Sequence, residues 1–224
     1  MMLKQMNVSD PTYLIESLLE RQKYRINTVV QIGGNDGVQS DFIRKFIIEN
    51  GWEAHILEPI DCYFEELERN YSQSPNVFCY PYAIMKEDGE REIHFAPPSE
   101  TISWAKGCST FYPEKNRLGG EFPMSDEAKI HFDENVSLKR VKTLTWESFT
   151  QKSQITGVDM MVIDTEGCEW EILQQIPLDQ LGVKILVLEY HNHADEDKKR
   201  ILNRIRQEGM TVMIKGWDLI AYRK

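Results

Sequence analysis

Groups able to bind a ligand or move a proton stand where apolar runs end in this chain. Residues 28–37 read TVVQIGGNDG, an apolar run entering a glycine-rich turn that holds one acid, Asp36. Glu58 and Pro59 follow the run HIL, Asp164 and Glu166 follow MMVI, and Glu189-Tyr190-His191-Asn192-His193 closes the run VKILVL. Gly33, Gly34 and Gly37 let a backbone take special dihedrals and let a ligand come close. A carboxylate at Glu58 can accept both hydroxyls of a ribose. Asp164 can hold an ammonium group or face an acceptor hydroxyl. His191, as a neutral imidazole, is the first choice for a general base, with Asp164 and Glu166 behind it. Each group also has a plainer reading. The glycines can make a tight turn with no ligand, Glu58-Pro59 can begin a turn, and the histidines can be solvated. Glu169 and Glu171 sit where acids favour a helix N-terminus.

The glycine spacing discriminates between cofactors. A dinucleotide fingerprint, G-x-G-x-x-G, needs its third glycine for packing helix against strand. Counted from Gly33, the second and third positions hold Asn35 and Val38, a poor match. No Gly-Lys-Ser/Thr follows, so there is no P-loop. A pyrophosphate prefers amide donors without a nearby acid, whereas Asp36 is less costly beside a cationic cofactor. Glu58 alone does not separate S-adenosylmethionine from NAD, since both carry that ribose. A cation such as Mg2+ held by Asp164, Glu189 and His191 has only a weak spacing signal, and no metal ligand set is assigned.

The chain has 224 residues, room for one sizeable core, and a formal net charge of -10. That charge argues against nucleic acid and against an anionic membrane surface as partners, because both rely on lysine and arginine. KRVK at 139–142 is the one compact basic run, and it reads as a solvated strand edge. The N-terminal segment shows neither a span-length apolar stretch nor a signal-peptide core, so a cytoplasmic location is expected. Cys62, Cys79, Cys108 and Cys168 form no C-x-x-C pair and read as reduced thiols.

These residues need elements to position them. Helical patterns cover 11–24, 39–50, 61–72, 168–175 and 195–208, and strand-like runs cover 28–33, 53–58, 76–82, 158–164 and 183–189. REIHF (91–95) alternates like an antiparallel or edge strand, and regular structure resumes at VKTLTWESF (141–149). The tail reads as two strands around KGWD. Strands separated by helices predict a mostly parallel sheet with helices on both faces, and the closing hairpin predicts one antiparallel strand. Residues 96–140 break the rhythm with PP, GC, YP, LGG and FP among Trp104, Phe111, Tyr112 and Phe122. So long an interruption with aromatics reads as a lid and substrate pocket.

The segments VVQIGGNDGVQSDFI, AHILEPIDCYFEELERN, VKTLTWESF, VDMMVIDTEGCEWEIL and ILVLEYHN resemble the FkbM-type methyltransferases. D-x-E-G-x-E, Asp164 to Glu169, is the most specific string. The resemblance covers roughly residues 28–215 of a chain read as one α/β domain over residues 1–224, and it implies a Rossmann-like three-layer sandwich of class I with a seven-stranded, mostly parallel sheet. It implies S-adenosylmethionine-dependent methylation of a hydroxyl on a sugar, a glycosylated metabolite or another small molecule. Gly33, Asn35 and Gly37 would line the methionine and ribose, with Gly34, Asp36 and Pro59 in the same cofactor set. Glu58 would take the ribose hydroxyls and Ala83 would border the adenine. Asp164 and Glu166 would shape the boundary between cofactor and acceptor. Gln31 stands where an acid is common in class I enzymes. The alternatives are an NAD-dependent oxidoreductase and a non-catalytic module of the same fold. A homo-oligomer is compatible with all of these.

Overall fold

The computed structural model describes residues 11–95, 106–113, 134–191 and 193–224. The elements in chain order are α1 (Thr12–Gln22), β1 (Thr28–Ile32), α2 (Ile43–Asn50), β2 (Glu53–Leu57), α3 (Asp61–Tyr71), β3 (Val77–Tyr80), β4 (Ala83–Ile84) and β5 (Gly89–Phe95). There follow β6 (Ser137–Leu144), α4 (Trp146–Ser153), β7 (Met160–Ile163), α5 (Glu169–Leu173), α6 (Leu178–Leu181), β8 (Ile185–Glu189), α7 (Asp195–Gln207), β9 (Thr211–Lys215) and β10 (Asp218–Tyr222).

Seven strands form one sheet in the order β3-β2-β1-β7-β8-β10-β9. The first five pair in parallel. β10 runs antiparallel to both β8 and β9, as the short connection after β9 requires. The central strands are apolar runs because both faces are covered. Val30, Ile32, Met161, Ile163, Leu186 and Leu188 pack on the face covered by α4, α5 and α7. Val29, Ala54, Ile56, Met160, Val162, Val187 and Ile220 pack on the other face, with α1, α2 and α3. This is the mostly parallel sheet with one antiparallel strand expected from the sequence.

Three local readings change. The run 76–82 is not one strand: Pro81 has no N–H to donate, so pairing with β2 stops at Tyr80 and the chain turns into β4. β4, β6 and β5 then form a separate three-stranded sheet, in that order. The helix expected from Gln39 begins at Ile43, because Asp36 and Asp41 accept backbone N–H groups from residues 38, 39 and 43 and hold that stretch in turns. The run VKTLTWESF divides at Thr145, whose hydroxyl accepts from the Ser148 N–H and caps α4. Trp104 and Phe122 lie outside the described residues. Among the described residues, no helix is long and apolar enough to cross a membrane.

Candidate active site

The strand order reverses at β1, which is paired on one side with β2 and on the other with β7. Loops leaving the C-terminal ends of neighbouring strands diverge at such a point and open a crevice. A cleft of about 690 Å³ lies there. Gly33, Gly34, Asn35, Glu58, Pro59, Ala83, Asp164 and Glu166 all line it, so residues far apart in sequence meet in one place.

The glycine turn is built onto its neighbours. The N–H groups of Gly33 and Gly34 both donate to the Leu57 carbonyl, at 3.0 and 2.9 Å. Gly33 has a φ of +87°, and a Cβ there would stand 1.7 Å from the Asp164 carbonyl oxygen. A Cβ on Gly34 would stand 2.3 Å from a methyl of Ile56. Next to them Glu58 is buried, with one carboxylate oxygen accepting from the Asn35 N–H (2.9 Å) and the other from the Ile60 N–H (2.8 Å). Burial pushes its carboxyl up to about 7, against the pull of those two amides. Asp36 and Gly37 stand behind the turn rather than along the lining. Asp36 caps the turn through the N–H groups of Val38 and Gln39 and meets Lys106 at 2.6 Å. Burial raises its carboxyl, but Lys106 and the two amides outweigh that and hold it below the usual range.

Across the turn, the Asp164 N–H donates to the Ile32 carbonyl at 2.9 Å. Asp164 lines the cleft. Its carboxyl is nevertheless raised, by desolvation first and then by the charges of Glu169, Asp218 and Asp41, which act in the same direction. Glu166 takes a φ of +54°, a conformation that costs a non-glycine residue about 1–2 kcal/mol. The loop is held there from two sides. Fully buried Glu169 accepts from the Thr165 N–H and hydroxyl and from the Gly167 N–H. The Thr110 hydroxyl donates to the Glu166 carbonyl at 2.6 Å. His193 is buried and lies 2.8 Å from Glu169. Burial raises the Glu169 carboxyl, but His193 and the loop amides bring it below its ordinary value.

His191 is placed differently from expectation. It is exposed, its ring packs edge-on against Trp217 at 4.5 Å, and it is not part of the cleft lining. Tyr190 and His191 both donate their N–H to the Trp217 carbonyl, at 2.8 and 3.0 Å. Among the described residues, ligand atoms of Asp164, Glu166 and Glu189 all lie within 4.8 Å of one another, a grouping that holds Glu166 in place of the His191 of the weak spacing signal.

Lys106 and Glu169 carry more of the site than their sequence positions suggested. Residues 106–113 form a strap over the cleft, fixed at one end by Lys106 to Asp36 and Glu66 and near the other by Thr110. Thr110 also pairs with His94 of β5, so the strap joins the small sheet to the large one. Lys106 was hidden in an interruption without periodicity. Glu169 lay in the D-x-E-G-x-E string, but an acid there is equally at home as a helix-terminal charge. Lys106→Met is expected to cost about 1–2 kcal/mol of stability, less than a fully buried pair because solvent reaches Glu66. It is also expected to weaken ligand binding in the cleft several-fold. Calorimetric affinity equal to that of the unaltered protein would show that the strap does not support the turn.

A reversed parallel order, one antiparallel strand and a buried acid beside a glycine turn define a class I methyltransferase fold. The methyltransferase FkbM domain model matches residues 31–211. The chain therefore belongs to the FkbM methyltransferase family, whose members depend on S-adenosylmethionine. Among solved structures, the methyltransferase FkbM from Methylobacillus flagellatus KT superposes with a TM-score of 0.55 at 12% identity, covering 90% of this chain and 45% of that one. The METTL16 methyltransferase domain gives a TM-score of 0.48 at 13% identity, over 95% of this chain and 66% of that one. The fibrillarin of Aeropyrum pernix, in complex with S-adenosyl-L-methionine, gives 0.46 at 11% identity, over 94% of this chain and 72% of that one. This chain thus spans less than half of the Methylobacillus FkbM chain. No curated protein matches the sequence.

Proposed function

We propose that this protein transfers a methyl group from S-adenosylmethionine to a hydroxyl of a sugar or another small molecule. The observation that carries the reading is the pair Glu58 and Asp164 on either side of the Gly33-Gly34 turn in one cleft. Charge supports the same cofactor. The described lining holds the carboxylates Asp41, Glu58, Asp164, Glu166, Glu189 and Asp218, while its basic residue, Lys106, is engaged by Asp36 and Glu66. Such a surface suits a sulfonium and an ammonium. It opposes the diphosphate of NAD, whose fingerprint is also broken at Asn35 and Val38.

S-adenosylmethionine supplies an electrophilic methyl group on sulfur. In this reading Glu58 accepts the ribose hydroxyls through lone pairs not engaged by the Asn35 and Ile60 amides. Tyr82, Ala83 and Ile84 wall the adenine side, and Gly33 and Gly34 leave the backbone bare where the ligand passes. The strap excludes water above. Asp164 takes the proton of the acceptor hydroxyl as the new bond forms, with Glu166 next to it. A raised carboxyl suits that task, since a base is most effective with a pKa near the working pH. Alignment of the acceptor oxygen with the methyl carbon supplies much of the remaining rate. A cytoplasmic workplace is proposed with it, supported by cysteines that are thiols rather than disulfides.

Calorimetric titration with S-adenosylmethionine, and with NAD in parallel, tests the cofactor. Glu58→Ala is expected to weaken S-adenosylmethionine binding by about 10²–10⁴-fold, the loss of two hydrogen bonds to a charged acceptor. Saturable binding of NAD but not S-adenosylmethionine would overturn the reading, and unchanged affinity in Glu58→Ala would take the ribose from Glu58.

A further inference from the structure

Gln31 is the penultimate residue of β1 and lies beneath the Gly33-Gly34 turn, paired with Ile56 of β2 and Val162 of β7. Both partners are apolar, so a polar side chain at this position has to be accounted for. Gln31 is 5% exposed and lines the cleft. Its side-chain nitrogen donates to Asp41 Oδ1 at 3.4 Å. An ionised carboxylate only accepts, so Asp41 fixes which way the amide faces and leaves its oxygen on the other side. That oxygen is buried and has no hydrogen-bond partner among the described residues. A buried acceptor without a donor is costly, and a ligand that brings one removes the cost.

Asp41 offers a second acceptor, lining the cleft from the turn before α2. Its Oδ1 also accepts the Ile43 N–H at 3.1 Å, and the Tyr71 hydroxyl stands 3.5 Å from Oδ2. Arg44, the cation beside it, gives its guanidinium to the carbonyls of Gly37 and Asn70 and lies over the Tyr71 ring. Burial pushes the Asp41 carboxyl up to about 6, against the Ile43 and Arg44 amides, the Gln31 side chain and the Arg44 charge. Two acceptors thus stand side by side, one without a donor and one short of positive charge. A compact cationic donor relieves both.

The course of the cofactor brings such a group here. With its ribose at Glu58 and its adenine against Tyr82, Ala83 and Ile84, S-adenosylmethionine turns its sulfonium toward Asp164, on the β7 side of β1. Its amino-acid arm then has the space in front of β1 to occupy, between the glycine turn and α2. We propose that Gln31 and Asp41 together hold the α-ammonium of that arm, Gln31 through its side-chain oxygen and Asp41 through its carboxylate. Paired acceptors take the ammonium and turn away the arm's own carboxylate, so they fix which group of the arm faces β1. Asp164, the other acid able to hold an ammonium, is left to the acceptor hydroxyl. The inference rests on the methyltransferase reading, which supplies the cofactor.

Calorimetric titration of the full chain tests this with no acceptor present. The probes are S-adenosylhomocysteine and its deaminated analogue, in which hydrogen replaces the α-amino group. The deaminated probe is expected to bind about 10²–10⁴-fold more weakly, the loss of two hydrogen bonds from a charged donor. Gln31→Met and Asp41→Asn are each expected to weaken S-adenosylhomocysteine by about 10–100-fold and to leave the deaminated probe within about threefold. Without ligand, Gln31→Met should melt no lower than the unaltered protein, because it removes the oxygen that lacks a donor. Equal binding of the two probes by the unaltered protein would overturn the inference and leave the methyltransferase reading standing. Equal weakening of both probes in the two variants would do the same, since it marks a structural loss. A preference for the amine that survives in both variants and disappears in Asp164→Asn would give the ammonium to Asp164. Failure of S-adenosylhomocysteine to bind the unaltered protein at all would sink the methyltransferase reading, and the inference with it.

Discussion

Asp164→Asn is expected to lower kcat by about 10²–10⁴-fold, while S-adenosylmethionine affinity changes by less than tenfold. The amide keeps the size of the side chain and cannot take a proton, so the loss should fall on the chemical step. The pH dependence gives an independent signature. Burial and the charges of Glu169, Asp218 and Asp41 raise this carboxyl above the ordinary aspartate range. The working form is the carboxylate, so kcat/KM should rise with pH through that raised value, and the limb should vanish in the variant. Stability runs the other way. A carboxyl whose folded pKa lies above its unfolded value contributes stability that is full below the unfolded pKa and lost as pH rises through the folded one. Without cofactor, the protein should melt higher in mildly acid buffer than at pH 8, and Asp164→Asn should melt above it at pH 8. His191→Ala is the control: an exposed ring against Trp217, outside the cleft lining, should cost less than about threefold in kcat. Wild-type turnover with an unchanged pH limb in Asp164→Asn would remove it as the base.

Gly33→Ala should abolish measurable S-adenosylmethionine binding and lower the melting temperature by roughly 4–16 °C. The added Cβ would stand 1.7 Å from the Asp164 carbonyl oxygen, an overlap that moves either the glycine turn or the β7 loop. Overpacking typically costs about 1–3 kcal/mol, and the positive φ adds about 1 kcal/mol. For a chain of this size, each kcal/mol shifts the melting temperature by about 2–4 °C. Gly51→Ala separates the two contributions. Gly51 also has a positive φ, of +65°, but a Cβ there meets nothing within 4 Å. It should lose about 1 kcal/mol and keep full cofactor affinity. Equal melting temperatures and affinities for the two variants would show that the contact between Gly33 and Asp164 yields without cost.

Much of the site was legible because it is encoded locally. A β-branched run followed by glycines can only be a buried strand and a tight turn, and acids after apolar runs fall at strand ends wherever strands are parallel. The sheet followed from the same pattern, with β10 antiparallel because a hairpin leaves no room for a crossover. What was not legible depends on non-local partners. Asp36 sits in the glycine string, yet Lys106, 70 residues away, turns it into a bracket for the strap. The small sheet depends on Pro81 releasing the chain from β3 and on β6 returning from beyond the interruption. Asp164 and His191 both follow apolar strands, and the sequence ranked His191 first only on the chemistry of a neutral imidazole. Backbone pairing with Trp217 fixes His191, which does not line the cleft, and the Ile32 carbonyl holds Asp164 at it. The sequence by itself determined the sheet, the glycine turn and the supply of carboxylates, since periodicity and backbone permissiveness act within a few residues. The tertiary structure decided which carboxylates share a face and which are engaged. Both follow from strand register and loop contacts, which place charges from distant segments within a few ångströms of one another.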